Sequence, residues 1–328
     1  MRILLVKMSS MGDIIHNMPM IHDLKQQHPD ALIDWVVEEA FAELARLNPL
    51  VNAVIPIALR RWKKSIFSQK NWAEFFAFKQ QLQAHHYDYI LDTQGLIKSA
   101  LIAKLAHGTS YGQNAQTSHE YPAHWFLNRT FTIPKNLHAI ARNRMLTSLA
   151  LGYSFNNKQV NYDIALNYPD ENLNHLLPKN CIMLLHSTAR EAKHWPNENW
   201  LQLGQYLNAQ GYALVLPWGN NIEKARAETI ASQLKNASVL PKLSIVQLTY
   251  LLAKTKACIG LDTGLTHIAT SINVPTLAIF TDTHIWQAGT MPAATGRATT
   301  IGGKPALPTA EAAIEAFKTL MAQHVKPN

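Results

Sequence analysis

Short apolar runs rich in branched residues alternate along this chain with longer stretches whose apolar positions recur at helical spacing. In the first half the runs at 2–7, 33–37, 54–57 and 87–92 read as strands. The first alternates so little that it is expected to be buried on both faces. Helical spacing covers 14–25, 40–47, 72–84 and 139–151, with Pro19 near the start of the first helix and Pro29 beyond its end. Residues 108–112 read as a strand edge and loop, and 119–125 as an exposed aromatic loop. The polar, asparagine-rich stretch 152–169 has neither period, so a domain boundary is expected there, near residue 160. The second half repeats the rhythm, with strands at 181–185, 212–216, 239–240, 257–259 and 276–280 and helices over 198–209, 222–234, 245–253 and 311–323. Strand alternating with helix predicts an α/β fold with parallel sheets in two similar halves.

One junction in that pattern carries candidate chemistry. The strand at 257–259 runs through Gly260 and Leu261 into Asp262-Thr263-Gly264-Leu265-Thr266-His267, a polar turn that opens a helix. Gly264 can adopt the angles of a sharp turn, and the N–H groups of Thr263, Gly264 and Leu265 then lack helical partners. Such an end accepts anions and suits phosphate. Ligands of open parallel sheets collect at the carboxyl ends of strands, so Asp262, Thr263, Gly264 and His267 are candidates to line a pocket. The plainer alternative is a capped turn, with Asp262 or Thr263 satisfying the helix end and His267 packed in the core. Glycine-bearing turns also follow the strands at 2–7 and 87–92. The first of these holds a single glycine, Gly12, rather than the G-x-G-x-x-G of a dinucleotide enzyme.

Composition narrows the classes. A chain of 328 residues, 47% hydrophobic and 16% charged, can bury two cores, which argues against disorder. Cys181 and Cys258 lie in apolar runs, as reduced buried thiols of a cytoplasmic protein do, and no zinc-like Cys/His spacing occurs. The opening residues read as a first strand rather than a targeting segment. No apolar run reaches the roughly 18 residues of a membrane span. The formal net charge of +8 points to an anionic partner: nucleic acid, an anionic membrane surface or a phosphorylated substrate. Basic residues cluster in Arg60-Arg61-Trp62-Lys63-Lys64, beside Phe67 and Trp72. That run is either a solvated loop or a surface that meets anionic headgroups or a phosphorylated lipid.

Four blocks in order, Lys7-Met8-Ser9-Ser10-Met11-Gly12-Asp13-Ile14-Ile15-His16, Lys193-His194-Trp195-Pro196 followed by Trp200, Pro217-Trp218-Gly219, and Asp262 to His267, make the chain similar to the lipopolysaccharide heptosyltransferases. The resemblance implies a GT-B fold, two Rossmann-like domains facing a central cleft. The acceptor domain would be 1–160 and the nucleotide-sugar domain 161–308, with a C-terminal helix, 309–324, packing back on the first. It implies transfer of heptose from ADP-heptose to the Kdo of Kdo2-lipid A with inversion. No metal or other cofactor and no nucleic acid would take part. The protein would be peripheral to the cytoplasmic face of the inner membrane.

The same resemblance suggests residue roles, each beside a plainer one. Asp13 would be the general base, or else a cap for its helix. Lys193 would stabilise the departing diphosphate, or else be a surface lysine. Thr188 and the N–H groups of Thr263, Gly264 and Leu265 would hold the phosphates. Glu223 would accept the ribose hydroxyls, or else serve as a favourable charge at a helix N-terminus. Asp262 and His267 would read heptose hydroxyls or phosphates, and Arg60, Arg61 and Lys64 would grip the acceptor's acidic groups. Two alternatives stand: a related sugar-nucleotide enzyme of the same fold, such as a heptosyltransferase with a different acceptor, and a basic nucleic-acid-binding protein. Against the latter, no helix-turn-helix, zinc or RNP-type motif occurs.

Overall fold

The computed structural model describes residues 1–65, 67–156, 159–166 and 171–322. The chain divides into two compact units, Met1–Ala165 and Leu166–Asn328. The first contains β1 (Arg2–Val6), α1 (Met11–Gln27), β2 (Leu32–Glu38), α2 (Ala42–Arg46), β3 (Ala53–Ile57), α3 (Leu59–Trp62), α4 (Gln69–Leu82), β4 (His86–Asp92), α5 (Ile97–Leu105), β5 (His107–Gln113), β6 (Arg129–Phe131) and α6 (Ala139–Leu151). Its strands pair in the order β3-β2-β1-β4-β5-β6, all parallel. Parallel strands need helices on both faces, which is why β1 reads as an unbroken apolar run. Ile3, Leu4, Leu5 and Val6 are all fully buried.

The second unit contains β7 (Cys181–Leu185), α7 (Asn197–Ala209), β8 (Ala213–Leu216), α8 (Asn221–Ala231), β9 (Ala237–Val239), α9 (Ile245–Leu252), β10 (Ala257–Leu261), α10 (Gly264–Ser271), β11 (Thr276–Phe280), α11 (Ile285–Ala288), β12 (Ala298–Gly302) and α12 (Ala310–Ala322). The sheet order β12-β11-β10-β7-β8-β9 is the first unit's order read from the other edge, again with every pair parallel. Each sheet therefore reverses direction once, between β1 and β4 and between β7 and β10. Those points leave a crevice at the strand ends where doubly wound folds bind ligands. The thiols of Cys181 and Cys258 are free and buried, and burial pushes both pKa values up.

Several expectations change. The first unit runs to Ala165 rather than 160, because the chain beyond 160 stays tied to it. The Ala165 N–H donates to Leu47 O at 2.8 Å, Asn48 Nδ2 to Tyr162 O at 3.1 Å, and His22 Nδ1 lies 2.7 Å from Asp163 Oδ2. The buried face of the final helix packs within the second unit: Ala310, Ala313, Phe317 and Leu320 of α12 lie in that unit's core with Leu203, Leu207 and Leu277. Its apolar stripe is consumed there, at the i, i+3, i+7 spacing of one helix face. Residues 157–158 and 167–169 of the polar stretch, and 323–324 of the final helix, lie outside the described residues. Residues 107–113 form a full inner strand, β5, and the basic run opens with the short helix α3. Two edge strands, β6 and β12, had no counterpart in the sequence reading. Pro19 lies well inside α1 rather than near its start.

Because Phe317 is only 3% exposed in the second unit's core, Phe317→Ala should destabilise that unit by about 3–5 kcal/mol. Chemical denaturation followed by fluorescence measures the loss; an unchanged midpoint would mean that α12 does not belong to this core.

Candidate active site

In the second unit the site is built on Asp262, the residue after β10. Its Oδ2 accepts from the Lys193 ammonium and from the Thr283 hydroxyl, the latter at 2.7 Å, and its Oδ1 lies 3.4 Å from His267 Nε2. Burial alone would raise the Asp262 carboxyl. His267, Lys193 and Thr283 outweigh it and hold the group well below the usual carboxylate range. Three segments meet on this carboxylate: the loop after β7, the loop after β11, and α10. Lys193 ends a tight turn, Glu191–Lys193, that its neighbours fix in place. His194 Nε2 lies 2.9 Å from Thr188 O, and Arg226 donates to Trp195 O at 2.6 Å. The Trp195 indole N–H in turn donates to Pro308 O at 2.7 Å, beneath the edge-to-face packing of Trp195 on Trp200. An ammonium has three N–H donors, so pairing with Asp262 leaves Lys193 able to meet a second anion.

With Asp262 so occupied, the cap of the plainer alternative is missing, although His267 is buried as that alternative expects. Thr263 is the N-cap residue of α10 and makes no side-chain cap hydrogen bond. Its hydroxyl lies 3.3 Å from that of Thr266, which itself donates to Leu261 O at 2.6 Å. The first-turn N–H groups, Gly264 and Leu265 among them, therefore face outward without a helical acceptor, as phosphate-binding helix ends do. Gly264 serves here differently from expectation. It is the first helical residue of α10 and is not among the glycines of positive φ, so what it contributes is a bare approach to the amides. Gly260 is needed for close packing, since a Cβ there would lie 2.3 Å from Thr266 Oγ1.

Glu223 sits in the first turn of α8 and is engaged locally. Its carboxylate accepts from the Gly219 N–H at 2.7 Å and from Asn220 Nδ2 at 2.8 Å, and Asn220 Oδ1 caps the Glu223 N–H. The helix-terminal role is thus present, and the carboxylate keeps further acceptor positions. Trp218, alongside, donates its indole N–H to Leu240 O at 2.7 Å.

In the first unit Asp13 lies in the first turn of α1. Its Oδ2 accepts from the Ser10 N–H at 2.8 Å and the Ser10 hydroxyl at 2.9 Å, and its Oδ1 lies 3.6 Å from Lys7 Nζ. Burial acts to raise its pKa; Lys7, Ser10 and His16 overcome this and hold it at about 2. Capping and chemistry are therefore compatible: the carboxylate caps α1, stays ionised, and its side chain is 42% exposed. Lys7 is itself nearly buried and is aimed by donation to Thr93 O at 3.2 Å, at the end of β4. Beneath it, fully buried Asp92 accepts from the Gln94 and Gly95 N–H groups and the Ser99 hydroxyl. Burial pushes Asp92 up to about 6 against those bonds. Gly95 supplies the left-handed angle, φ 67°, that this turn requires.

The basic run is less uniform than its sequence. Arg61 forms ion pairs with Glu39 at 3.0 Å and Glu74 at 2.8 Å. Arg60 lies over the Phe41 ring, 5.2 Å from its centroid, and Lys64 is exposed. The structure thus gathers Lys193, Asp262, His267 and the start of α10, and separately Lys7 and Asp13. It adds residues not singled out in the sequence: Thr283, Thr266, Ser10, and Lys7 as the partner of Asp13. Thr283 had one available signal, its position in the polar segment after an apolar strand, where a neighbouring strand end also carried candidates.

Two doubly wound halves, one ending in a bare helix N-terminus beside a restrained lysine and the other in an ionised carboxylate, form a glycosyltransferase of the GT-B type. The chain belongs to glycosyltransferase family 9 (heptosyltransferase), whose model matches residues 75–312. Lipopolysaccharide heptosyltransferase 1 of Escherichia coli K12 is 40% identical over 284 residues, covering 85% of this chain and 88% of that protein. Among solved structures, E. coli heptosyltransferase WaaC with ADP is similar at 36% identity and a TM-score of 0.87, over 98% of this chain and all of that one. The same enzyme with ADP-2-deoxy-2-fluoro heptose has a TM-score of 0.82 at 36% identity, over 97% and 99% of the two chains. The resemblance read from the four sequence blocks is borne out, and the nucleic-acid-binding alternative falls.

A carboxylate depressed from 3.8 to about 2 contributes stability that is complete above its ordinary pKa and is lost as pH falls toward 2. Lys7→Met should move the Asp13 titration upward by about one pH unit or more. Carboxyl-detected NMR titration reads this directly; an unmoved Asp13 would show that Lys7 does not set its charge.

Proposed function

We propose that this glycosyltransferase moves heptose from ADP-heptose to the Kdo of Kdo2-lipid A by a single inverting displacement. The observation that carries the donor half is the uncapped start of α10 beside the Lys193–Asp262 pair, a site that offers amide N–H groups and an ammonium to a diphosphate. The support from relatives is the likeness to a heptosyltransferase solved with an ADP-heptose analogue. Asp13, ionised at every working pH, takes the proton of the acceptor hydroxyl as its oxygen attacks the anomeric carbon. The bond from that carbon to the phosphate oxygen breaks on the opposite face, so the configuration inverts and the electron pair leaves on ADP. Lys193 and the N–H groups of Thr263, Gly264 and Leu265 stabilise the charge that grows there, with Thr188 beside them. Glu223 accepts the ribose hydroxyls, and His267 and Asp262 fix the sugar end of the donor. Arg60 and Lys64 grip the acceptor's carboxylates and phosphates. Arg61, held by Glu39 and Glu74, joins them with the N–H donors those pairs leave. Among the described residues no helix is long and apolar enough to cross a membrane, and a lipid acceptor implies work as a peripheral protein at the cytoplasmic face of the inner membrane.

Incubating the purified protein with ADP-heptose and Kdo2-lipid A should yield a product one heptose heavier by mass spectrometry, with no prior heptose on the acceptor. Product formed only from an already heptosylated core would overturn the acceptor assignment. Asp13→Ala should lower kcat by about 100- to 10,000-fold while leaving ADP affinity by calorimetry nearly intact. Lys193→Met should lower kcat by about 100- to 1,000-fold and also weaken ADP. Loss of ADP binding in Asp13→Ala would instead mark Asp13 as structural.

A further inference from the structure

The α3 to α4 segment carries an aromatic surface for which the transfer chemistry has no use. The inner side of α4 buries Phe78 and Leu82 in the first unit's core, and Phe75 packs edge-on against Trp62 and Trp72. Its outer side presents Trp72 and Phe76, four residues apart on one helix face, with ring centroids 6.2 Å apart. Phe67 is 92% exposed, Trp72 53% and Phe76 59%. Lys63, Lys64 and Lys70 of the same segment are exposed as well. Glu74, the one acidic residue from 59 to 82, is bound by Arg61 and by the Trp62 indole N–H at 2.8 Å each. Large exposed aromatics gathered in one place mark an interaction surface, and a tryptophan with a lysine rim is the chemistry of a membrane interface.

We propose that this face docks the protein on an anionic phospholipid bilayer. Phe67, Trp72 and Phe76 enter the headgroup region, and Lys63 and Lys70 pair with lipid phosphates. Charge selects this occupant: a second copy of the chain would set lysine rim against lysine rim, whereas an anionic surface complements it. The inference deepens the lipid-acceptor reading above and rests on it in taking a bilayer as the natural partner, but its test does not require that acceptor.

Full-length protein should sediment with sucrose-loaded vesicles of phosphatidylethanolamine and phosphatidylglycerol and much less with phosphatidylcholine alone. The triple variant Phe67→Ser, Trp72→Ser, Phe76→Ser should bind the anionic vesicles about 10-fold or more weakly. Lys63→Glu with Lys70→Glu should abolish the preference for anionic lipid. Both variants should keep the wild-type melting temperature and wild-type turnover of a deacylated, water-soluble Kdo acceptor. Trp72→Ser alone, giving an intermediate loss, guards against misfolding of the triple variant. Equal binding of wild type to both vesicle types, or undiminished binding by the aromatic variants, overturns the proposal. So does ultracentrifugation showing a wild-type dimer that the triple variant splits, since the face would then join two copies. Wild type that transfers heptose to the soluble acceptor but ignores vesicles refutes this inference alone; vesicle binding without transfer refutes only the acceptor reading.

Discussion

The second unit depends on one buried carboxylate. Asp262 is almost removed from water, and an isolated carboxylate there would be strongly unfavourable. It is tolerated because an ammonium, a hydroxyl and an imidazole converge on it from three separate segments. The convergence has two consequences. The loop after β7 is held so that Lys193 sits beside β10, and the carboxylate is unavailable to cap α10. A helix end left bare beside a restrained ammonium is the result, and the positive end of the helix adds to that charge.

The first unit uses the same topology to opposite effect. There the acid lies inside the first turn rather than ahead of it, so Asp13 both caps α1 through Ser10 and neutralises that helix end. A helix start already carrying a carboxylate is a poor place for phosphate and a good one for a base. A shift of a few residues in where the acid stands, relative to the helix it precedes or enters, separates a helix start left bare from one that carries its own carboxylate.

What could be read from the sequence follows from burial. Strands covered on both faces appear as unbroken apolar runs, so β7 and β11 were located to the residue and β1 to within one. Strands β6 and β12 lie at sheet edges, half exposed and rich in threonine, and give no such run. β5, His-Gly-Thr-Ser-Tyr-Gly-Gln, is internal yet looks like a loop because glycine and polar residues dominate it. The apolar stripe of α12 was plain, but a stripe does not say which core receives it. In the site, positions at strand ends were legible and partners were not. Nothing local to Asp262 announces Thr283, which is 21 residues away and arrives through pairing of β10 with β11. Glu223 was placed correctly at a helix start, while its engagement with Gly219 and Asn220 depends on backbone angles the sequence does not display.

A base held at about pKa 2 is thermodynamically weak, and the proposed displacement has to accommodate that. A carboxylate so acidic cannot remove an alcohol proton in advance of bond formation; it can receive one only as the attacking oxygen becomes positive. In the proposed displacement proton transfer would then be late, and departure of the diphosphate would carry much of the barrier. The proposal then places the catalytic demand on whatever would stabilise that leaving charge, the Lys193 ammonium and the first amides of α10. On this view the depressed pKa of Asp13 is tolerable because the other unit is built to favour bond breaking. Lys7, which depresses it, keeps the Asp13 carboxylate ionised.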